Sequence, residues 1–292
     1  MIAEATSQDS SFQIENEPGD LVKRHRLSTR IWHWVNAIAL LIMLMSGLMI
    51  FNAHPRLYWG QYGANPDAAW LEIGNKAGTG YLKIGDYSIN TTGVLGAFTD
   101  SDGSARADAF PYWATIPSSY NLADARLWHL AFAWVLGLAL LFYMIRSLWN
   151  GHIREDLHIT RPEWSLRNIW QDVKNHARLR FPTGTDALKY HILQKFSYIS
   201  VIFVAIPLMI LTGLTMSPGV NAAWPWLLDI FGGRQSARSI HFIMAFFLIG
   251  FFLVHMIMVL LAGPYNEVRS IITGKFRLPP ERKAAPIPEA GS

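Results

Sequence analysis

The sequence predicts an all-α integral membrane protein, a four-helix bundle with a long extracytoplasmic loop between helices 1 and 2. Three observations carry that expectation. Apolar residues make up 51% of the 292 and charged residues only 16%, with a mean hydropathy of +0.18, which is not the balance of an ordinary soluble domain. Four uncharged stretches, about 31–51, 127–145, 196–216 and 240–262, are each long enough to cross a hydrocarbon layer of about 30 Å as a helix. Twelve tryptophans and ten tyrosines supply interfacial aromatic belts.

Taken in order, residues 1–21 are polar and acidic, with Glu4, Asp9, Glu15, Glu17 and Asp20, and read as a mobile tail. They contain no apolar core of a secretory signal, so none is expected there. A basic cluster, Lys23, Arg24, Arg26 and Arg30, leads into the first span, which carries His33 near its start. Residues 53–123, including His54-Pro-Arg-Leu-Tyr-Trp-Gly60, form too long a connection for a turn and should fold as an extramembrane cap. The second span has His129 near its start, and a basic connection, 150–189, follows it. Pro207 lies inside the third span and marks a kink that neighbouring helices tolerate. The fourth span contains both His241 and His255. The chain after Gly263 is basic and then proline-rich and is expected to fray, with residues 22–276 forming the domain and 277–292 a mobile tail.

Lysine and arginine placement orients the bundle. The segment before the first span, the 150–189 connection and the C-terminal segment together carry sixteen; the two opposite connections, with Arg126 and Arg238 at the span edges, carry seven. Both termini are therefore expected in the cytoplasm, with the cap facing the periplasm or exterior.

That orientation sets the depth of each histidine. His33 opens an outward-going helix and His255 ends an inward-going one, so both lie near the cytoplasmic side. His129 and His241 both lie near the outer side. His241 and His255 are fourteen positions apart, nearly four whole turns, so they share a face and stand roughly 21 Å apart along the axis. Ionisable side chains inside a span point to function, although a buried histidine bonded to a neighbouring helix is the plainer reading of any one of them. Two imidazole pairs, one per leaflet, suit two low-spin haem irons used for electron transfer. Zinc fits poorly, because two imidazoles leave its shell half empty. The chain has no cysteine, so two haem b groups would be held non-covalently by His33, His255, His129 and His241.

A second pattern repeats the spacing Arg-x-x-His: Arg30 before His33, Arg126 before His129 and Arg238 before His241. Residues three apart share a helix face, so each arginine sits one turn nearer water and could pair with a haem propionate. Gly47 lies fourteen residues after His33, where a glycine leaves room for the outer haem; Gly250 could act likewise, though small residues also serve plain helix packing. His25, His54, His152, His158 and His176 lie in polar connections and are expected in solvent. His191 and Gln194 share a face at the cytoplasmic depth of the third span, where a quinone headgroup could bind.

Arg30-Ile-Trp-His33-Trp-Val-Asn36, Lys189-Tyr-His-Ile-Leu-Gln194-Lys and Arg238-Ser-Ile-His241 with His255 resemble the bacterial di-haem cytochrome b family over about residues 22–275. That family includes the membrane subunits of formate dehydrogenase, nickel–iron hydrogenase and thiosulfate reductase and the small b561-type cytochromes. The resemblance implies ligand pairing between the first and fourth and between the second and fourth helices. It also implies electron transfer between the quinone pool and a periplasmic redox partner. Many members have Asn where His191 stands. The 53–123 insertion looks closest to the thiosulfate-reductase-like members, often paired with a molybdopterin oxidoreductase. Two other readings compete. One is a stand-alone membrane oxidoreductase whose outer haem meets a small oxidant such as superoxide; the other is a transporter using histidines as a proton relay. Membrane lipid and quinone are the expected small partners, and nothing points to nucleic acid.

Overall fold

The computed structural model describes residues 19–149, 164–178 and 192–278. The expectations for mobile ends within 1–18 and 279–292, for the side chains of His152, His158 and His176, and for His191 fall outside the described residues. All four expected spans are helices: Leu27–Asn52, Leu122–Trp149, Ile192–Thr215 and Arg234–Ala262. Each begins before its apolar stretch, because nothing in the flanking residues interrupts helical hydrogen bonding where the polar headgroup region starts. Their outer faces carry Leu41, Trp134, Phe142, Phe252 and Leu260 exposed. In water that surface would be costly; against lipid tails it is neutral, so the chain is a multi-pass membrane protein.

Small and branched side chains close the interior. Ala39 and Met43 of the first helix meet Leu136 and Leu140 of the second and Val201, Ile202 and Ile206 of the third. Trp32 stacks on Tyr143 with ring centroids 4.4 Å apart. The third helix widens into a π turn over Ser200–Ala205, directly before Pro207. Proline has no N–H, and its ring would meet the carbonyl four residues back, so the expected kink takes the form of an opened turn.

The remaining strands were not part of the all-helical expectation. β1 (Leu21–Lys23) comes first; the cap then contributes β2 (Arg56–Leu57), β3 (Leu71–Lys76), β4 (Thr79–Ile84), β5 (Tyr87–Asn90), β6 (Phe98–Thr99) and β7 (Ala105–Arg106). β2 to β5 form one antiparallel sheet in chain order. Ala77-Gly78, with φ of 51° and 82°, makes the tight β3–β4 turn whose twist matches paired strands. Leu57, Leu71 and Ile73 of this sheet pack on Phe51 and Phe110 at the top of the first helix. Asn52 fastens the same junction, donating to the Phe110 carbonyl at 3.0 Å and accepting from the Phe110 N–H at 2.8 Å.

Outside the membrane, Arg56 pairs with Glu72 at 2.7 Å and Tyr81 donates to the same carboxylate at 2.6 Å. Burial pushes the Glu72 carboxyl upward, but the Tyr81 and Arg56 hydrogen bonds outweigh it and hold the group below its ordinary value.

Residues 54–60 and the start of the fourth helix lock together. Gly60 accepts from the backbone N–H groups of Gln235 and Ser236 at 3.0 and 3.2 Å, satisfying donors that a helix start leaves open. Ser236 accepts from the Gly60 N–H at 2.7 Å, and Ser239 donates to the Tyr58 carbonyl at 2.6 Å while accepting from the Trp70 indole at 2.9 Å. A Cβ on Gly233 would lie 2.6 Å from the Gly60 carbonyl carbon, so this approach requires glycine.

The segment after Gly263 does not fray where it is described. Pro264–Thr273 is a helix, and β8 (Lys275–Arg277) pairs antiparallel with β1. Phe276 and Leu278 are buried, Arg24 stacks over Phe276, and Arg24 pairs with Glu267 at 3.0 Å. Composition alone suggested a loose tail; burial of two apolar side chains against Val22 overrides it.

Candidate functional site

The bundle brings the four span histidines into two facing pairs. His33 faces His255 with ring centroids 6.5 Å apart and planes at 53°; His129 faces His241 at 6.2 Å and 59°. The second pair lies at the cap end and the first at the end where β1 and β8 pair. An imidazole nitrogen binds a first-row metal at about 2.0–2.1 Å; with about 1.2 Å from nitrogen to ring centre, two rings on opposite sides of one ion stand about 6.4 Å apart. Both pairs match that separation. Among the described residues no three His, Cys, Asp or Glu side chains form a metal-binding group.

The cap-end pair shows which nitrogen is free to bind a metal. His129 Nδ1 lies 3.1 Å from the Met43 carbonyl and 3.1 Å from Ser46 Oγ. A carbonyl only accepts, so Nδ1 carries the proton and Nε2 the lone pair. Ser46 donates its own proton to the Ile42 carbonyl at 2.7 Å and accepts from His129. The third helix repeats the arrangement: Thr212 donates to the Leu208 carbonyl at 2.6 Å and accepts from His241 Nδ1 at 3.0 Å. Such acceptors on Nδ1 fix the orientation of an imidazole and leave Nε2 as the nitrogen that could bind a metal.

Gly47 and Gly213 complete the symmetry. A Cβ on Gly47 would lie 3.4 Å from His129 Cε1, and one on Gly213 would lie 3.4 Å from His241 Cε1. Gly47 thus makes room for the His129 imidazole itself. Gly250 has nothing within 4 Å of a Cβ, so no close neighbour explains that glycine. Ser46, Thr212 and Gly213 are missing from the sequence reading. A signal was available: Met43-Leu-Met-Ser46-Gly47-Leu in the first span and Met209-Ile-Leu-Thr212-Gly213-Leu in the third repeat one pattern.

The other end is less enclosed by hydrogen bonds. His33 Nδ1 is buried with no partner among the described residues, and His33 packs edge-on to Trp34. His255 stacks on Phe251 at 5.9 Å. Arg30, one turn before His33, donates to the Ile272 carbonyl, while its Nε is buried and unpartnered.

The three arginines have different surroundings. Arg126 is exposed at the start of the second helix. Arg238 donates to the carbonyls of Arg56, at 3.1 Å, and of His54, and lies over the Phe51 ring at 5.7 Å. Arg238 therefore fastens the cap to the fourth helix. Gln194 sits half-buried near the start of the third helix; its expected neighbour His191 is outside the described residues.

Two histidines expected in solvent are not there. Burial, then the charges of Arg24, His33 and Arg30, lowers the pKa of His25 to about 4. His54 stacks on Tyr58 at 5.8 Å with a buried, unpartnered Nε2; burial first, then Arg238 and Arg56, keeps it below its ordinary value. Both were misread because a polar stretch of sequence was taken for an exposed one.

A four-span membrane bundle that holds imidazoles in two facing pairs has the layout of a membrane cytochrome of the b type. The comparisons agree. The chain matches the family described as prokaryotic cytochrome b561 over residues 24–274 and belongs to that family. It is similar to a putative protein-methionine-sulfoxide reductase subunit of Azospira oryzae, 25% identical over 236 residues, covering 80% of this chain and 87% of that protein. It is also similar to a probable Ni/Fe-hydrogenase B-type cytochrome subunit of Cupriavidus necator, 22% identical over 287 residues, covering 94% and 90%. No solved structure gives a significant match. The chain is a b561-type membrane cytochrome, of a family that implies haem b binding, and is related to membrane subunits of oxidoreductases.

Proposed function

We propose that the chain binds two haem b groups, one between His33 and His255 and one between His129 and His241, and carries electrons across a bacterial inner membrane. The observation that carries this reading is the pair of ring separations, 6.5 and 6.2 Å, each suited to one iron between two imidazoles. When bound, haem supplies one-electron chemistry with its iron closed to other ligands. The chain's part is to present Nε2 from both sides, exclude water, and hold the imidazoles still. The buried Arg30 Nε is a donor suited to a propionate at the His33–His255 end.

The cap faces the periplasm and both termini face the cytoplasm, by the lysine and arginine bias. Electrons pass between a quinone at the cytoplasmic end and a periplasmic redox partner at the cap, most simply a molybdopterin oxidoreductase. The printed names of both relatives describe subunits of oxidoreductases, which supports a partner. Gln194, with His191, is the quinone locus. A pyridine haemochrome assay on purified protein should give two haems per chain, extracted by acid acetone because the chain has no cysteine to anchor them. One haem or none overturns the reading. Gln194→Ala should slow quinol-driven reduction while dithionite still reduces both haems; an unchanged quinol rate removes Gln194 from the site.

A further inference from the structure

We propose that Ser46 and Thr212 are positioning residues that set the two haems at different potentials, lowering the one at the cap end below the other. The inference rests on the two-haem reading above. Both imidazoles at the cap end give their Nδ1 proton to acceptors: His129 to Ser46 Oγ and the Met43 carbonyl, His241 to Thr212 Oγ1. At the opposite end His33 Nδ1 is buried with no acceptor among the described residues.

The chemistry follows from proton sharing. An imidazole whose N–H is drawn toward an acceptor gains electron density at its other nitrogen and becomes a stronger donor to a metal. A stronger donor stabilises ferric over ferrous iron, which lowers the reduction potential. Ser46 and Thr212 can only accept here, because each has already given its proton to a carbonyl of its own helix, Ile42 and Leu208. The matched Met-x-x-Ser/Thr-Gly segments bring a hydroxyl acceptor to each imidazole of one pair, at 3.1 and 3.0 Å, while His33 Nδ1 of the other pair has none among the described residues.

The difference gives transfer a direction. With haem held by both pairs, an electron passing from the cap-end iron to the other would oxidise the first from ferrous to ferric and reduce the second from ferric to ferrous, with no bond broken and no proton moved. Electrons delivered at the cap by a reduced partner then run downhill toward the far end. There two electrons and two protons from water would reduce a quinone to its quinol.

Redox titration of Ser46→Ala, Thr212→Val and the double variant tests the proposal. Each should retain two haems, since all four paired histidines stay in place. Each hydroxyl lost should shift the reduction equilibrium of the lower-potential component upward by about tenfold, or about 59 mV for one electron. The other component should not move, and Ser46→Thr should keep the original value. A shift of the higher component, or of neither, overturns the proposal. A second measurement covers variants that lose haem. In an otherwise unaltered chain, the component missing from His129→Ala must be the lower-potential one; the reverse order also overturns the inference. A haem count below two in the unaltered protein instead refutes the two-haem reading.

Discussion

Gly47→Leu and Gly213→Leu should each remove the cap-end haem and leave the other, although both ligand histidines remain. The built Cβ at each position already lies 3.4 Å from a ligand ring carbon, at the edge of van der Waals contact. Alanine therefore fits with a displacement of a few tenths of an ångström. Leucine adds a γ carbon about 1.5 Å further on and two δ carbons beyond it. On a helix its χ1 is confined to two wells, so it cannot swing freely out of the way. If the ring retreats by about 1 Å, that is half the length of a metal–imidazole bond of about 2.0 Å. A loss of that size is not a weakened ligand but a missing one. Gly250→Leu is the matched control, since nothing lies within 4 Å of its Cβ. The assay is haem per chain with a redox titration of the purified variants. The expected counts are one haem for Gly47→Leu and Gly213→Leu, and two for Gly47→Ala and Gly250→Leu. Two haems in Gly47→Leu, or an equal loss in Gly250→Leu, would refute the packing argument.

Three further predictions concern the pairing and the cap. His33→Ala and His255→Ala should remove one and the same redox component, and His129→Ala and His241→Ala the other. The two levels are roughly 21 Å apart by helix rise, so neither pair can rescue the other; loss of a single shared component from His241→Ala and His255→Ala would break the pairing. Arg238→Met should loosen the cap by about 2 kcal/mol, since hydrogen bonds from charged donors contribute about 1.5–3 kcal/mol each and relief of a buried charge offsets part of that; unchanged protease sensitivity of residues 53–123 would count against it. Glu72 is held below its ordinary value of 4.5, so its ionised form stabilises the cap above that value and the contribution disappears as the pH falls through the lower, folded one. The melting temperature of the cap should therefore drop on acidification below about pH 4.5, and Glu72→Gln should be less stable at pH 7 and lose that acid dependence; an identical acid profile in the variant would show that other groups govern it.

The membrane spans and the histidine pairs were legible in the sequence because both depend on one-dimensional quantities. Twenty apolar residues measure a bilayer, and fourteen positions on a helix measure a depth and a face, whatever else the chain does. A disturbance near Pro207 was legible for the same reason, since a missing N–H acts within one turn of its own helix; it is present as the π turn over Ser200–Ala205. The cap was legible only as a folded segment, and its strands were not expected. Alternation in Leu71–Ile84 is broken by glycines and polar residues, and the sheet gains its apolar partners, Phe51 and Phe110, from distant parts of the chain. The described part of the C-terminal segment was misjudged because Phe276 and Leu278 look unremarkable until β1 lies beside them.

Tertiary structure alone decided what the polar atoms do. Arg30 and Arg238 share one spacing to a histidine, yet Arg238 donates to carbonyls 184 and 182 residues away while Arg30 keeps a buried, unpartnered nitrogen. The hydroxyls of Ser46 and Thr212 are ordinary small residues in a helix until His129 and His241 are brought to 3.1 and 3.0 Å. Hydrophobic spacing is a property of a segment, readable along the chain. A hydrogen bond is a property of two groups at one distance and angle, and only the packed bundle sets those.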